Sequence, residues 1–291
     1  MSETITLRAQ DGTSATLALT GAEPVSWQVD GREYLWDGDP EHWNRHAPWL
    51  FPVVGASAGG VVRVGGEEFP MAQHGFARDL AFTVVAQDSE TATLRLEDGP
   101  ETRAHYPFAF RLDITAQVRP RGLDFTIEVA NPGPVPLPYA LGFHPAFPWP
   151  FAGGARAGGD YAVVFEHPER PMVPEVGPGG LLVRTERAIP LEGDTLRLDP
   201  ELFAEALVFR EARSRSLRFT RPGHGTIHMS THDFPHLAVW TKSTAPFLSL
   251  EFWTGHADWA GFAGELAERD SQRSLAPGAT ARHGVRLSFE G

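Results

Sequence analysis

The sequence predicts an all-β protein, a large antiparallel β-sandwich with few short helices. Apolar and polar residues alternate wherever a pattern can be read, as expected of strands with one buried face. The 30 glycines and 25 prolines make up nearly a fifth of the 291 residues. Because they recur throughout the chain, they indicate many turns between short strands and disfavour a helical bundle.

The alternation is clearest in two adjacent segments, Phe110–Val118 and Leu123–Val129. Only the short connection Arg119–Gly122 separates them, which predicts an antiparallel hairpin. Similar runs predict further strands at Thr4–Leu7, Ala15–Leu19, Phe82–Val85, Thr93–Leu96, Ala162–Phe165, Leu217–Phe219, Leu237–Thr241, Phe247–Trp253 and Gly284–Phe289.

One segment, Trp259–Arg269, is predicted to form a short helix, although it contains two glycines. Two Gly/Pro-rich stretches, Pro148–Gly159 and Pro171–Gly180, are predicted to be long loops of the kind that border functional sites. Neither stretch establishes a domain boundary, so we expect residues 1–291 to form a single domain.

Charge and composition exclude several classes of function. Acidic residues outnumber basic ones 37 to 25, for a formal charge of −12, so neither nucleic acid nor an anionic membrane is an expected partner. The absence of cysteine excludes disulfides, thiolate metal sites and a cysteine nucleophile. Residues 1–10 do not resemble a secretory signal and no long apolar run occurs, so we expect a cytoplasmic protein.

Common catalytic motifs such as the P-loop, HExxH and GxGxxG are absent from the sequence. Two histidines in unusual surroundings remain. His74 lies in QHGFAR, where the following glycine can form a turn that presents the imidazole, and His144 lies in LGFHPAFPW among aromatic residues. Each is a candidate for catalysis or for a hydrogen-bonded structural role.

Glu251 is the most unusual carboxylate in the sequence. Alternation in the strand Phe247–Trp253 places it on one face with Phe247, Ser249 and Trp253. A buried carboxylate needs a partner, which is either a structural cation or a ligand. A histidine and a glutamate in one pocket suit acid/base chemistry on a sugar, and flanking Trp253 and Phe247 offer flat apolar surfaces to a pyranose ring.

A second group of histidines recurs every four residues at His224, His228, His232 and His236. On a helix this spacing would form a metal-binding stripe. Glycines and prolines punctuate the segment, however, so we interpret it as a solvated or structural hairpin and expect no metal.

Taken in order, the motifs resemble the aldose 1-epimerase superfamily, especially its bacterial LacX-like branch. The resemblance covers roughly residues 24–255, and the ordered set is more specific than any single motif. The motifs are APWLFPVVG (47–55), MAQHGFARD (71–79), YPFAFRL (106–112), LGFHPAFPWP (141–150), EALVF (205–209), HLAVWTK (236–242) and APFLSLEFWTG (245–255).

The resemblance implies the galactose mutarotase-like supersandwich fold and an isomerase that interconverts the anomers of an aldose without any cofactor. By resemblance, Glu251 removes the proton of the C1 hydroxyl and His144 protonates the ring oxygen. His74 would hydrogen-bond the sugar and orient it. Positioning two proton-transfer groups across the acetal is the physical basis of this chemistry.

The sequence departs from the family pattern at two places. Glu205 stands where relatives commonly have a sugar-binding aspartate, and the longer side chain can accept the same hydrogen bonds. The stretch Gly55–Gly60 lacks an arginine that many relatives carry. Arg45 and Arg78 remain as candidates for substrate contact, or for surface ion pairs.

Three functions therefore remain open. The first is a mutarotase acting on a free hexose, and the second is a hexose-6-phosphate 1-epimerase, in which arginines would bind the phosphate. The third is a non-catalytic carbohydrate-binding or regulatory module with the same pocket. The small number of arginines near the motifs favours an unphosphorylated sugar, whereas the oligomeric state is not indicated.

Overall fold

The computed structural model describes residues 3–242 and 244–291, which form mainly antiparallel strands. The helical segments are short: α1 (Pro100–Arg103) and 3-10 turns at Ala58–Gly60, Ala77–Asp79, Pro178–Gly180, Pro200–Leu202 and Leu266–Glu268. In chain order the strands are β1 (Thr4–Arg8), β2 (Ser14–Ala18), β3 (Pro24–Val29), β4 (Arg32–Glu33), β5 (Trp49–Leu50), β6 (Val61–Val64), β7 (Glu67–Pro70), β8 (Thr83–Gln87), β9 (Thr91–Glu97), β10 (Arg111–Arg119), β11 (Gly122–Ala130), β12 (Leu137–Tyr139), β13 (Gly142–Phe143), β14 (Ala146–Pro148), β15 (Ala162–Phe165), β16 (Met172–Val176), β17 (Leu182–Ala188), β18 (Leu191–Glu192), β19 (Thr195–Arg197), β20 (Leu207–Phe209), β21 (Ser216–Arg221), β22 (Gly225–His232), β23 (His236–Trp240), β24 (Phe247–Trp253), β25 (Arg273–Leu275) and β26 (Thr280–Glu290).

Two large antiparallel sheets enclose the main core. One has ten strands in the order β18-β19-β15-β21-β22-β26-β11-β10-β9-β8. The other has six, in the order β20-β23-β24-β13-β5, with β14 also paired to β24. Phe125 of β11 joins them, because its ring centroid lies 5.2 Å from that of Trp49 and 5.3 Å from that of Phe143. The predicted all-β antiparallel sandwich is confirmed.

The predicted hairpin is also confirmed. β10 and β11 pair from Arg111 with Ala130 to Arg119 with Gly122. The histidines that recur every four residues do not lie on a helix. His228 and His232 belong to β22, which pairs with both β21 and β26, and His236 begins β23. Among the described residues, no group of three or more His, Asp or Glu side chains is arranged to hold a metal ion.

Two local predictions are wrong. Trp259–Arg269 does not form a helix, and its only helical turn is Leu266–Glu268, because two glycines in the segment disfavour helical backbone. Pro171–Gly180 is not a continuous loop, since β16 lies within it and pairs with β17. This hairpin reaches the cavity described below. Within the described ranges, no helix has the length and apolar character needed to span a membrane.

β24 is buried along its whole length and separates the main core from a cavity. Leu248, Leu250 and Phe252 belong to the core between the large sheets. The intervening side chains, among them Ser249 and Glu251, therefore face the other side of the sheet. The strand thus carries polar groups on a face that is also closed off from solvent.

Candidate active site

His144 lies between two short strands, β13 and β14, which both pair with β24. Phe143 of β13 pairs with Phe252, and Ala146 of β14 pairs with Ser249. His144 and the following proline form the link between these strands, so the imidazole lies beside the middle of β24. The strand pairing, rather than nearness in sequence, thereby brings His144 to Glu251.

The two side chains are in direct contact. Nε2 of His144 lies 3.2 Å from Oε2 of Glu251, and the indole N–H of Trp253 donates to the same carboxyl oxygen at 3.0 Å. On the other side of the imidazole, Oγ of Ser249 lies 2.9 Å from Nδ1. Ser249, Glu251 and Trp253 are alternate residues of β24, so one face of a single strand supplies all three side chains around His144.

Burial determines the protonation of this pair. Burial, together with the positive charges of Arg78 and Arg45, lowers the pKa of His144 to about 3. Burial also raises the pKa of Glu251 well above 4.5, although the hydrogen bond from Trp253 opposes this shift. Burial therefore favours the uncharged form of both groups.

His74 enters the same site through a tight turn. His74 and Gly75 both have left-handed backbone, with φ of 69° and 74°. The backbone N–H of Gly55 donates to Nδ1 of His74 at 3.1 Å, which leaves Nε2 to carry the proton. The His74 ring meets that of His144 edge-on, with centroids 5.8 Å apart. Burial and the neighbouring His144 hold the pKa of His74 well below 6.5.

These groups line a cavity of about 370 Å³, a size suited to a monosaccharide. Tryptophan side chains form much of its wall. Trp43 stacks on His144, with ring centroids 4.9 Å apart, and Trp240 meets His144 edge-on at 5.5 Å. The lining residues are Trp43, Gly55, Gln73, His74, Arg78, His144, Val176, Gly180, Leu182, Glu205, Ala206, Val208, Trp240, Lys242, Glu251, Trp253 and Ala257.

Charged side chains of both signs also line the cavity. Arg78 donates from Nη2 to the carbonyl of Gln73 at 2.7 Å, and Lys242 donates from Nζ to the carbonyl of His42. Glu205, which was predicted to bind sugar hydroxyls, lies in the wall as well. Both cations therefore already have a carbonyl partner, while the cavity contains hydrogen-bonding groups suited to hydroxyls.

Two of the predicted substrate-binding residues do not line the cavity. Arg45 is outside the lining and forms an ion pair with Asp79, at 2.7 Å between Nη2 and Oδ1. Phe247 is fully buried and packs behind the cavity wall, with its ring 5.5 Å from those of Trp43 and Trp240. Contact of either residue with substrate therefore stays a prediction.

The structure brings together the other predicted residues, His144, Glu251, His74, Arg78, Glu205 and Trp253. Sequence reasoning missed Trp43, Gln73, Trp240 and Lys242. Gln73, Trp240 and Lys242 lie within the motifs MAQHGFARD and HLAVWTK, so their positions in these motifs could have predicted that they line the site. Trp43 belongs to an irregular loop with no readable pattern.

A larger hollow of about 560 Å³ lies on the ten-stranded sheet, but it differs in character. The contact there between His228 and Glu290, at 3.2 Å, is open to solvent, and 83% of the Glu290 side chain is exposed. Water screens the electrostatic interaction between such exposed groups. The cavity around His144 is therefore the better candidate for catalysis.

The fold is a β-sandwich, and a buried imidazole and carboxyl face a tryptophan-lined cavity within it. The aldose 1-epimerase family model matches residues 3–288, and the chain belongs to this family. The plasmid form of protein LacX from Lactococcus lactis subsp. lactis is 33% identical over 238 residues, covering 78% of this chain and 79% of that protein.

Solved structures agree with this assignment. A galactose mutarotase-like protein from Lactobacillus casei is 30% identical, with a TM-score of 0.92 over 99% of this chain and 100% of that one. Galactose 1-epimerase from Lactobacillus acidophilus, at 15% identity, has a TM-score of 0.70 over 99% of this chain and 94% of that one. The latter likeness is one of fold.

Proposed function

We propose that this protein is an aldose 1-epimerase, which interconverts the α and β anomers of a free hexose with Glu251 and His144 as its acid/base pair. The observation that carries the proposal is the 3.2 Å contact between His144 Nε2 and Glu251 Oε2 at the wall of the cavity. Family membership and the tryptophan-lined cavity support it.

The closeness of the two groups suits this reaction. In a cyclic aldose, the C1 hydroxyl oxygen and the ring oxygen are bonded to the same carbon, so an acid and a base that serve them must also be neighbours. Glu251 accepts the proton of the C1 hydroxyl while the C1–O5 bond breaks, and His144 donates a proton to O5. After rotation about C1–C2, the same transfers run in reverse and close the ring on the other face of C1.

These proton transfers begin from an imidazolium and a carboxylate, whereas burial favours the neutral form of the His144–Glu251 pair in the sugar-free site. The two forms contain the same protons, and one transfer across the 3.2 Å contact interconverts them. The N–H of Trp253 stabilises the carboxylate, and Ser249 accepts the Nδ1 proton of the imidazolium. The charged form is therefore accessible without exchange of protons with solvent.

The remaining groups have supporting roles. His74 presents its Nε2 side to the cavity as a hydrogen-bonding group for the sugar, and Glu205 accepts hydrogen bonds from hydroxyls. Trp253 and Trp240 contact the apolar C–H face of the ring. Arg78 and Lys242 already donate to backbone carbonyls, which favours a neutral sugar over its 6-phosphate.

Polarimetry tests this proposal. We expect the protein to accelerate the decay of optical rotation of freshly dissolved α-D-glucose or α-D-galactose. Glu251→Gln should lower kcat by about 10²-fold or more while sugar binding, measured by calorimetry, persists. Glu67→Gln, which changes an exposed carboxyl on β7, is the matched control and should keep the wild-type rate.

Other outcomes of the same assay identify the alternatives. Sugar binding by folded protein without any acceleration would indicate a non-catalytic module. A higher kcat/KM for glucose 6-phosphate than for glucose, lost in Lys242→Met, would indicate a sugar-phosphate epimerase in which that ammonium binds the phosphate. Equal rates for wild type and Glu251→Gln would show that Glu251 is not the base.

A further inference from the structure

Ser249 is a buried hydroxyl beside His144 that does not line the cavity. It lies on β24 two residues before Glu251, and its Oγ is 2.9 Å from Nδ1 of His144. The same Oγ donates to the backbone carbonyl of Pro145, also at 2.9 Å. Ser249 is fully buried, so water does not replace either partner.

Counting protons fixes the direction of these hydrogen bonds. A serine hydroxyl has a single proton, and a carbonyl oxygen only accepts. Because the proton of Ser249 is directed at Pro145, Oγ must accept from His144, and Nδ1 of the imidazole must carry a proton. The other nitrogen, Nε2, then faces Glu251 with a lone pair unless the pair holds an additional proton.

The contact between His144 and Glu251 supplies the second step. A bare Nε2 and an ionised carboxylate would place lone pairs against each other at 3.2 Å, in a site from which water is excluded. One proton between these atoms removes the repulsion, whether it is bonded to nitrogen or to oxygen. The pair then holds one mobile proton, in addition to the fixed proton on Nδ1.

We propose that Ser249 is a positioning residue that keeps a proton on Nδ1 of His144 and thereby commits Nε2 to sharing one mobile proton with Glu251. The consequence for turnover rests on the proposed function, whereas the tautomer does not. Without the acceptor at Nδ1, a buried N–H would be unpaired, so the imidazole proton of His144 would move to Nε2 and be donated to a carboxyl oxygen of Glu251.

Such a shift would weaken acid catalysis. A neutral imidazole that donates its only proton to the ring oxygen would become an imidazolate, which is strongly disfavoured. Among the described residues, the charged and titratable groups around His144 are Glu251 in direct contact, His74 edge-on, Arg78, Lys242 and Glu205 in the cavity wall, and Arg45 outside the lining. None of these contacts Nδ1, so none replaces Ser249.

The test begins with the tautomer of His144 in the sugar-free wild-type protein. Two-bond ¹H–¹⁵N NMR spectra, assigned by the signals lost in His144→Gln, should show a protonated Nδ1 at pH 7. In Ser249→Ala we expect the Nδ1 signal to become that of an unprotonated nitrogen. Ser214→Ala is the matched control, because it removes an equally buried hydroxyl that accepts a hydrogen bond from the backbone N–H of His167.

Kinetics provide a second readout. We expect Ser249→Ala to lower kcat about tenfold or more at pH 8 and less at pH 6, with KM nearly unchanged, because the loss is of a proton donor rather than of sugar contacts. The alkaline limb of its pH–rate profile should move to lower pH. Ser214→Ala should keep the wild-type profile.

The outcomes separate this inference from the proposed function. An unprotonated Nδ1 in the wild type would overturn the inference even if Ser249→Ala fails to fold, and so would a variant that keeps the wild-type tautomer. A protonated Nδ1 that is lost in Ser249→Ala supports positioning by Ser249, even if the protein has no epimerase activity. In that case only the proposed function fails.

Discussion

Trp43 covers one face of the His144 imidazole, with the ring planes inclined by 30° and the centroids 4.9 Å apart. The indole comes from an irregular loop, and Lys242 donates to the carbonyl of His42 in the same loop. A loop side chain, rather than the sheet, thus completes the burial of His144. The low pKa of His144 therefore depends on this loop.

We expect Trp43→Ala to raise the pKa of His144 from about 3 toward 6.5, because burial is the main cause of the shift. As the pH falls, the His144–Glu251 pair would then bind an additional proton at a higher pH than in the wild type, and the acid limb of the activity profile should move up accordingly. NMR titration of His144 and polarimetry between pH 4 and 8 measure both effects. Trp43→Phe keeps a flat ring and should behave like wild type; an unshifted pKa in Trp43→Ala would contradict this account.

The Glu251 carboxyl should lower the stability of the folded protein at neutral pH. Its folded-state pKa lies above 4.5, so the folded protein retains a proton that the unfolded chain releases, and stability falls as the pH rises from 4.5 through the folded pKa. Glu251→Gln mimics the protonated carboxyl. We expect this variant to be more stable than wild type at pH 8 by on the order of 1 kcal/mol, and about equal to it near pH 4.

Urea unfolding at both pH values measures this difference. The exposed Glu67→Gln should show no such pH-dependent gain. A Glu251→Gln protein that is less stable than wild type at every pH would mean that the folded state prefers the ionised carboxylate.

Gly75 forms the turn that presents His74. Its φ is +74°, and an added Cβ would lie 2.1 Å from the carbonyl oxygen of Phe51. Gly75→Ala should therefore destabilise the fold by several kcal/mol and displace His74. Gly31 has the same φ of +74° but open space around it, so Gly31→Ala should cost only about 1 kcal/mol. Similar melting temperatures for the two variants would show that the turn at Gly75 relaxes easily.

Asp258 and Arg269 form a buried ion pair, at 2.6 Å between Oδ1 and Nε, with side chains only 5% and 3% exposed. Asp258 also accepts the backbone N–H of Ala58 at 2.8 Å, so it ties two loops together beside the cavity. Asp258→Ala would leave a buried guanidinium without its carboxylate partner, and we expect a loss of about 3–5 kcal/mol in unfolding free energy.

The matched control is the pair Arg282 and Glu128, in which the arginine side chain is 71% exposed. Arg282→Ala should cost less than about 1 kcal/mol, because water and salt screen an exposed pair. Chemical denaturation of both variants provides the comparison, and equal losses would mean that burial does not set the strength of the Asp258 pair.

The predictability of the fold and that of the site differ for a physical reason. Alternation is local, so Phe247–Trp253 could be assigned to a strand with the correct bounds, and Glu251 to the face it shares with Ser249 and Trp253. Irregular segments carry no such period. The helix expected over Trp259–Arg269 was therefore wrong, and the loop that carries Trp43 gave no signal.

What the sequence by itself determined is the class of fold, the family and the short list of polar residues in apolar surroundings, because strand period and motif order are properties of the chain alone. Only the tertiary structure decided which of them meet. Pairing of β13 and β14 with β24 brings His144 to Glu251 and Ser249 across about a hundred residues, whereas Arg45 pairs with Asp79 and Phe247 packs behind the wall. Strand register and the burial that shifts both pKa values arise from long-range packing, which no local pattern contains.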